Sequence, residues 1–191
     1  MNRYCINLKL PVNLDFPQHD YDISATGVKD RWATSIGRHT DYELSRMNKD
    51  FLEFIESVGL FVHFGEYFYT APHSVLRPHT DTIHITDVVK LNWMRGGRDS
   101  VMEWYELNPN KSLLTSRTKL NKPFSGARRQ DVKCVHSAHI GTPSLVNVGQ
   151  LHGVVNYHEP RHVVCAVLGK RRFDQRLEWD EAIEIFQKYV V

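Results

Sequence analysis

From Phe61 onward the chain is a succession of short segments rich in valine, isoleucine and aromatic residues, broken by turn residues. Phe61 to Tyr69, Ser74 to Asp81, Ile83 to Met94, Val101 to Leu107, Ser144 to Val148, His152 to Asn156 and His162 to Leu168 all read as β-strands. No interval before residue 108 has room for a crossover helix, so neighbouring strands are expected to pair antiparallel and close into a sandwich or barrel.

Two stretches carry helical spacing instead. Leu44, Met47, Phe51, Leu52, Ile55 and Val58 recur on one helical face and predict a helix over about 41–58, with Gly59 as its stop. A second amphipathic helix is expected over about 180–189, with Asp180 and Glu181 at the positive end of its dipole and Ile183, Phe186 and Val190 facing inward. Residues 1–38 hold Pro11, Pro17, Gly27 and Gly37 and predict at most a short strand near Tyr4 to Leu10. The fold class is mainly β with flanking helices.

Length and composition narrow this picture. At 191 residues and 41% apolar content, the chain suits one soluble domain over 1–191 with a β core about 60–170. No apolar stretch is long enough to span a bilayer and the amino terminus lacks a secretory pattern, so a cytoplasmic protein without a membrane partner is expected. Cys5, Cys134 and Cys165 are widely spaced and odd in number, unlike a disulfide framework or a paired-thiol zinc site.

The net charge of +2 conceals a local surplus, because residues 108–133 set Lys111, Arg117, Lys119, Lys122, Arg128, Arg129 and Lys133 against Asp131 alone. With Arg95 and Arg98 that segment would attract an anionic substrate such as a nucleotide, nucleic acid or acidic peptide. A solvated loop is the plainer reading, since Phe124 is its only aromatic residue and no nucleic-acid-binding motif accompanies it. A small-molecule or peptide substrate is therefore expected ahead of nucleic acid.

Candidate chemistry lies in His79-Thr80-Asp81. Iron enzymes that activate oxygen commonly hold the metal by two histidines and one carboxylate, leaving positions open. Residues i and i+2 of an extended chain point to one side, so His-x-Asp presents both donors to one ion. His39-Thr40-Asp41 repeats the tripeptide, but Thr40 and Glu43 there fit a capping box opening the first helix. His79 follows Arg77-Pro78, where proline keeps the chain extended, and is the better ligand.

The third ligand is expected from across the barrel, among His136, His139, His152, His158 and His162. If Tyr157 to Pro160 form an even hairpin turn, His152 opposes Cys165, and His152, Asn156, Arg161 and Cys165 share one face. Arg161 would then lie roughly 13 Å of strand from His152. That suits a cosubstrate chelating the metal at one end and offering a carboxylate to a bidentate guanidinium at the other.

These residues, His79-x-Asp81, His152 and Arg161, resemble the 2-oxoglutarate/Fe(II) oxygenase superfamily, and most of all its prolyl-hydroxylase-like branch. The resemblance covers about 67–168, including Leu91-Asn92-Trp93, Glu103-Trp104-Tyr105 and Asn147-Val148-Gly149-Gln150. It implies a double-stranded β-helix (jelly-roll, cupin-like) core, Fe(II) on His79, Asp81 and His152, and 2-oxoglutarate as cosubstrate with O2. It implies that Arg161, Asn92 and Tyr69 bind the cosubstrate, with Tyr67 an alternative to Tyr69. Succinate, carbon dioxide and a hydroxylated carbon would be the products. Val163 departs from the serine or threonine that many relatives carry two residues after the arginine, and Asp81 argues against halogen transfer. Two other readings remain: a non-catalytic metal- or anion-binding β-barrel, and a cupin-type iron dioxygenase that does not use 2-oxoglutarate.

Overall fold

The computed structural model describes residues 2–14, 37–42, 47–118, 121–141, 143–170 and 175–191, with 37–42 described as backbone only. Among the described residues twelve strands run β1 Cys5–Asn7, β2 Gly37–Tyr42, β3 Phe61–Thr70, β4 Ser74–Thr80, β5 Val89–Gly96, β6 Val101–Leu107, β7 Leu114–Arg117, β8 Pro123–Gly126, β9 Val132–Ala138, β10 Ser144–Asn147, β11 His152–Asn156 and β12 Arg161–Gly169. Helix α1 spans Lys49–Ser57 and α2 spans Trp179–Phe186, followed by a 3-10 turn Gln187–Tyr189.

The strands form two six-stranded sheets with the orders β1-β10-β5-β12-β3-β2 and β7-β8-β4-β11-β6-β9. Every paired strand is antiparallel, as expected. The pairing partners differ from the sequence expectation. Among the described strands, consecutive ones pair only in β2–β3 and β7–β8. In the core the chain crosses to the opposite sheet, from β3 to β4, β4 to β5, β5 to β6, β9 to β10, β10 to β11 and β11 to β12. A corner of three or four residues spans the sandwich as easily as it reverses a hairpin, and alternate crossing of this kind is a double-stranded β-helix, a jelly-roll core.

The hairpin expected between β11 and β12 is therefore absent. His152 lies in register with His79 and Trp104, and Cys165 with Glu66 and Asn92, in different sheets. The buried Asn156 fixes the corner instead, donating from Nδ2 to the carbonyls of Thr70, Ala71 and Glu159. Opposite it, Gly96 and Gly97 adopt φ of +71° and +57°. A Cβ on Gly97 would come within 2.7 Å of the Arg161 side chain, so this turn must be bare for Arg161 to enter the interior.

Helix α1 is shorter than its spacing predicted. It starts at Lys49 behind Asn48, and buries Phe51, Phe54 and Ile55. The supposed capping segment is strand β2, with His39 opposite Phe68 and Thr40 opposite Tyr67; β3 offers an unpaired edge there, and ladder hydrogen bonds prevail over a capping box. Glu43 and Leu44 of that expectation fall outside the described residues. Gly59, at φ +77°, ends the helix as expected. In α2, Asp180 and Glu181 occupy the first turn and Phe186 is buried, but Val190 is 36% exposed because the helix has already tightened and ended.

Both helices pack on the outer face of the first sheet, where Tyr67, Tyr69, Leu91, Trp93, Val164, Ala166 and Leu168 join Phe51, Ile55, Leu60 and Phe186 in one apolar cluster. A second cluster, with Met102, Trp104, Val146, Val148 and Val154, fills one end of the space between the sheets. No helix among the described residues is long and apolar enough to cross a membrane.

Candidate metal centre

His79 is the penultimate residue of β4 and lies directly across the ladder from His152 on β11. Asp81 follows the end of β4, and its backbone N–H donates to the Val148 carbonyl at 2.9 Å. These three are the one group of histidine, cysteine and carboxylate donors among the described residues that could share a metal ion, their ligand atoms all lying within 4.8 Å of one another. The third ligand therefore comes from the neighbouring strand of the same sheet and not from across the barrel.

Local hydrogen bonds set the imidazoles for this task. His79 Nδ1 is 2.8 Å from the Arg77 carbonyl and His152 Nδ1 is 2.9 Å from the Gln150 carbonyl. A carbonyl only accepts, so each Nδ1 carries a proton, which leaves Nε2 as the nitrogen each ring can offer a cation. The rings lie 4.3 Å apart by centroid, and His79 Nε2 is 3.4 Å from Asp81 Oδ1. Burial, then the neighbouring His79 charge, pushes His152 down to about 3, so it is neutral and ligand-ready across the physiological range. Burial would raise the Asp81 carboxyl, but Lys90 and the two histidines hold it well below the ordinary range, so it stays anionic. Two imidazoles that can each present Nε2, with one carboxylate, fit a divalent first-row cation.

Around the triad stands a charged network that sequence reasoning missed. Lys90 Nζ lies 2.5 Å from Asp81 Oδ2 and also meets Glu66 Oε2, while Lys122 Nζ is 3.0 Å from Glu66 Oε1. Lys90 and Glu66 are 5% and 3% exposed, so the centre of this network of two ammoniums and two carboxylates is interior, while Lys122 and Asp81 lie at its partly exposed ends. Burial opposes the Lys90 charge, and Asp81 and Glu66 outweigh it. The available signal was strand parity: Glu66 and Lys90 are charged residues set among apolar and aromatic neighbours of their strands, and a buried charge there must face a polar interior.

Arg161 begins β12, in register with Thr70 and Gly96, and is 6% exposed. Its Nε donates to Met94 Sδ at 3.3 Å, and among the described residues no carboxylate pairs with the guanidinium, which burial lowers to about 10. Four residues on, Cys165 shares its face, beside Glu66. The thiol is raised to about 12, first by burial, and feels Lys90, Glu66 and Asp81. Arg161 and the triad therefore front the same interior. Asn92 is in register with Cys165 and likewise inward, its buried Oδ1 meeting no donor among the described residues.

Tyr67 and Tyr69 are not brought there. They lie in register with Val164 and His162, so alternation turns them to the outer face with the helices. Tyr67 Oη is 2.6 Å from His162 Nδ1 and the Tyr69 ring packs 5.2 Å from the same imidazole. Spacing from His79 located the strand, and one residue of phase decides the face. Among the other histidine candidates, His136 stacks on Tyr4, His139 meets the Ser100 carbonyl and His158 meets Asp99, all apart from the triad.

The basic segment is mostly structure. Strands β7 and β8 form a hairpin whose second strand pairs with β4, placing Gly126 opposite His79, and the Phe124 ring lies 6.5 Å from the His79 ring. Lys111 pairs with Asp131, Arg129 with Glu103 and Lys122 with Glu66, which removes much of the surplus; Lys119 lies outside the described residues.

The alternating sheets and the clustered His-x-Asp and His side chains define a double-stranded β-helix protein with a candidate two-histidine, one-carboxylate metal centre. No family model matches the chain, and no curated protein matches it. Among solved structures it is similar to the polyketide cyclase RemF from Streptomyces resistomycificus, at 15% identity over 88% of this chain and 91% of that one, with a TM-score of 0.36. It is also similar to a cupin 2 domain-containing protein from Halorhodospira halophila, at 10% identity over 78% and 75% of the two chains and a TM-score of 0.30. An oxalate oxidase in complex with the substrate analogue glycolate shows 14% identity over 68% of this chain and a TM-score of 0.32, and the chain spans half of that protein's length.

Proposed function

We propose that the chain, as one domain, is a mononuclear Fe(II) oxygenase that uses 2-oxoglutarate and O2 to hydroxylate a carbon of a small-molecule or peptide substrate. The observation that carries this reading is a buried guanidinium with no carboxylate partner among the described residues, Arg161, fronting the same interior as His79, Asp81 and His152. An unpaired buried cation is costly, and an arginine retained in that state suits a carboxylate brought by a ligand.

Bound at the triad, Fe(II) with 2-oxoglutarate and O2 supplies the oxidising chemistry, yielding succinate, carbon dioxide and one hydroxyl group on the substrate. The chain's own part is positioning. His79 and His152 offer Nε2 lone pairs held by the Arg77 and Gln150 carbonyls. Asp81 stays ionised beside Lys90. Arg161 holds the distal carboxylate, and Thr70, in register with it on the inward face, takes the role of second donor that Val163 lacks the hydroxyl to fill. Asn92 turns an open amide toward the same space. Arg128 and Lys133, exposed residues of the basic segment, favour an anionic substrate over a cationic one.

The test is Fe(II)- and O2-dependent release of succinate from 2-oxoglutarate, with or without substrate, in the unaltered protein and in His79→Ala and Arg161→Ala. His79→Ala is expected to lose it, and Arg161→Ala to need at least about 30-fold more 2-oxoglutarate, as for truncating one side of a buried charge pair. Oxygen consumption unaffected by Arg161→Ala but abolished by His152→Ala would instead favour an iron dioxygenase that dispenses with 2-oxoglutarate. Metal binding without any turnover of 2-oxoglutarate would favour a binding module.

A further inference from the structure

We infer that Lys90 is a positioning residue for the metal centre, holding Asp81 so that one carboxylate oxygen faces the ion and the other is engaged elsewhere. This rests on the triad being a metal centre. The two oxygens of Asp81 are already differentiated: Oδ1 lies 3.4 Å from His79 Nε2, on the ligand side, and Oδ2 lies 2.5 Å from Lys90 Nζ. Lys90 stands on the inner face of β5, two residues before Asn92, where its ammonium reaches over to the chain leaving β4. It is fixed from behind by Glu66 of β3, whose second oxygen receives Lys122 from the start of the β8 hairpin. The line Asp81, Lys90, Glu66, Lys122 thus ties one ligand to the opposite sheet and to the hairpin flanking His79.

The arrangement solves a geometric problem. Asp81 lies beyond the last residue of its strand, so its ladder no longer fixes its side chain. A carboxylate there can rotate, offer both oxygens to a cation, or swing to solvent. An ammonium on Oδ2 removes those alternatives before metal arrives, as outer-shell donors do for other ligands. With Glu66 on its other side, Lys90 adds a hydrogen bond at Asp81 while its own charge is partly offset.

The experiment is a Co(II) titration followed by visible ligand-field absorption, on the unaltered protein, Lys90→Met, Lys90→Gln and His152→Ala, with the thermal stability of each metal-free protein measured alongside. Lys90→Met is expected to weaken Co(II) binding about 10–100-fold and to alter the bands. Lys90→Gln keeps a donor at that place without the charge, so its loss should be smaller and its bands should remain those of the unaltered protein. A lysine that merely supports the fold would lower stability in both variants and leave the Co(II) spectrum unmoved. Unchanged or tighter Co(II) binding in Lys90→Met, or equal losses in the two variants, would overturn the inference. If Lys90→Met does not fold, Lys90→Gln decides alone: weaker binding with unaltered bands supports positioning, and unchanged affinity rejects it. Should the unaltered protein fail to bind Co(II), or His152→Ala bind it equally well, the metal centre itself falls, which is a different result from Lys90 variants that bind normally.

Discussion

Strands β3, β5 and β12 build two unlike surfaces from alternate residues of the same chain. Outward they present Tyr67, Tyr69, Leu91, Trp93, Val164 and Ala166 to the helices, an apolar layer of ordinary kind. Inward the intervening positions set Glu66, Lys90, Asn92, Arg161 and Cys165 among Phe68, Met94 and Val163, a surface that carries buried charge and polar atoms. The outer face is what makes these strands fold, and it frees the inner face to carry groups that a core would reject.

The sharpest way to separate the two faces is Glu66→Ala. Removing one partner from a buried charge network costs about 3–5 kcal/mol, here by leaving Lys90 and Lys122 facing a void. Chemical denaturation should show that loss, and metal affinity should weaken with it; loss of stability alone would mean that the network is structural. Leu91→Ala, one residue from Lys90 but facing out, is expected to cost about 2–5 kcal/mol through the cavity it leaves. Metal affinity measured below its lowered melting temperature should stay unchanged, and a large change would show that the faces are coupled.

A pH series probes the inner face next. His152 titrates near 3 in the folded protein against an ordinary 6.5, so the unfolded chain takes up its proton first as pH falls. The stability tied to neutral His152 is complete above about 6.5 and is lost progressively from there toward 3, and Asp81, also lowered, adds a loss below the ordinary carboxylate range. Denaturation of the metal-free protein at pH 7 and pH 5 should therefore show lower stability at pH 5, and His152→Gln should flatten the difference.

The smallest effect expected is that of Tyr67→Phe, which deletes the hydroxyl 2.6 Å from His162 Nδ1 for about 1 kcal/mol. Its affinity for 2-oxoglutarate should equal that of the unaltered protein, because the ring faces away from the triad. A marked loss of that affinity would restore the role that spacing suggested for this strand.

The same comparison explains what could be read in the sequence. Alternating apolar segments announced the strands, and the spacing of His79, Asp81 and His152 announced donors that the fold does bring within 4.8 Å. Partner choice was not legible, because the corner at Tyr157 to Pro160 is as compatible with a hairpin as with a crossing between sheets, and only packing of the whole sandwich selects the crossing. Thr40 and Glu43 matched a local cap, yet the open edge of β3 claimed Thr40 for a ladder. Strand parity, applied to Glu66 and Lys90, held information that motif spacing does not: a charge flanked by apolar residues marks the interior, and Tyr67 and Tyr69, in the phase opposite to Glu66, face out.

Whether His79, Asp81 and His152 share one divalent ion is decided by anomalous scattering from crystals soaked in Mn(II). A single peak bounded by the Nε2 atoms of the two histidines and Oδ1 of Asp81, with Lys90 still on Oδ2, is the predicted result. A peak elsewhere with this cluster bare, at a Mn(II) concentration that saturates binding in solution, would contradict it.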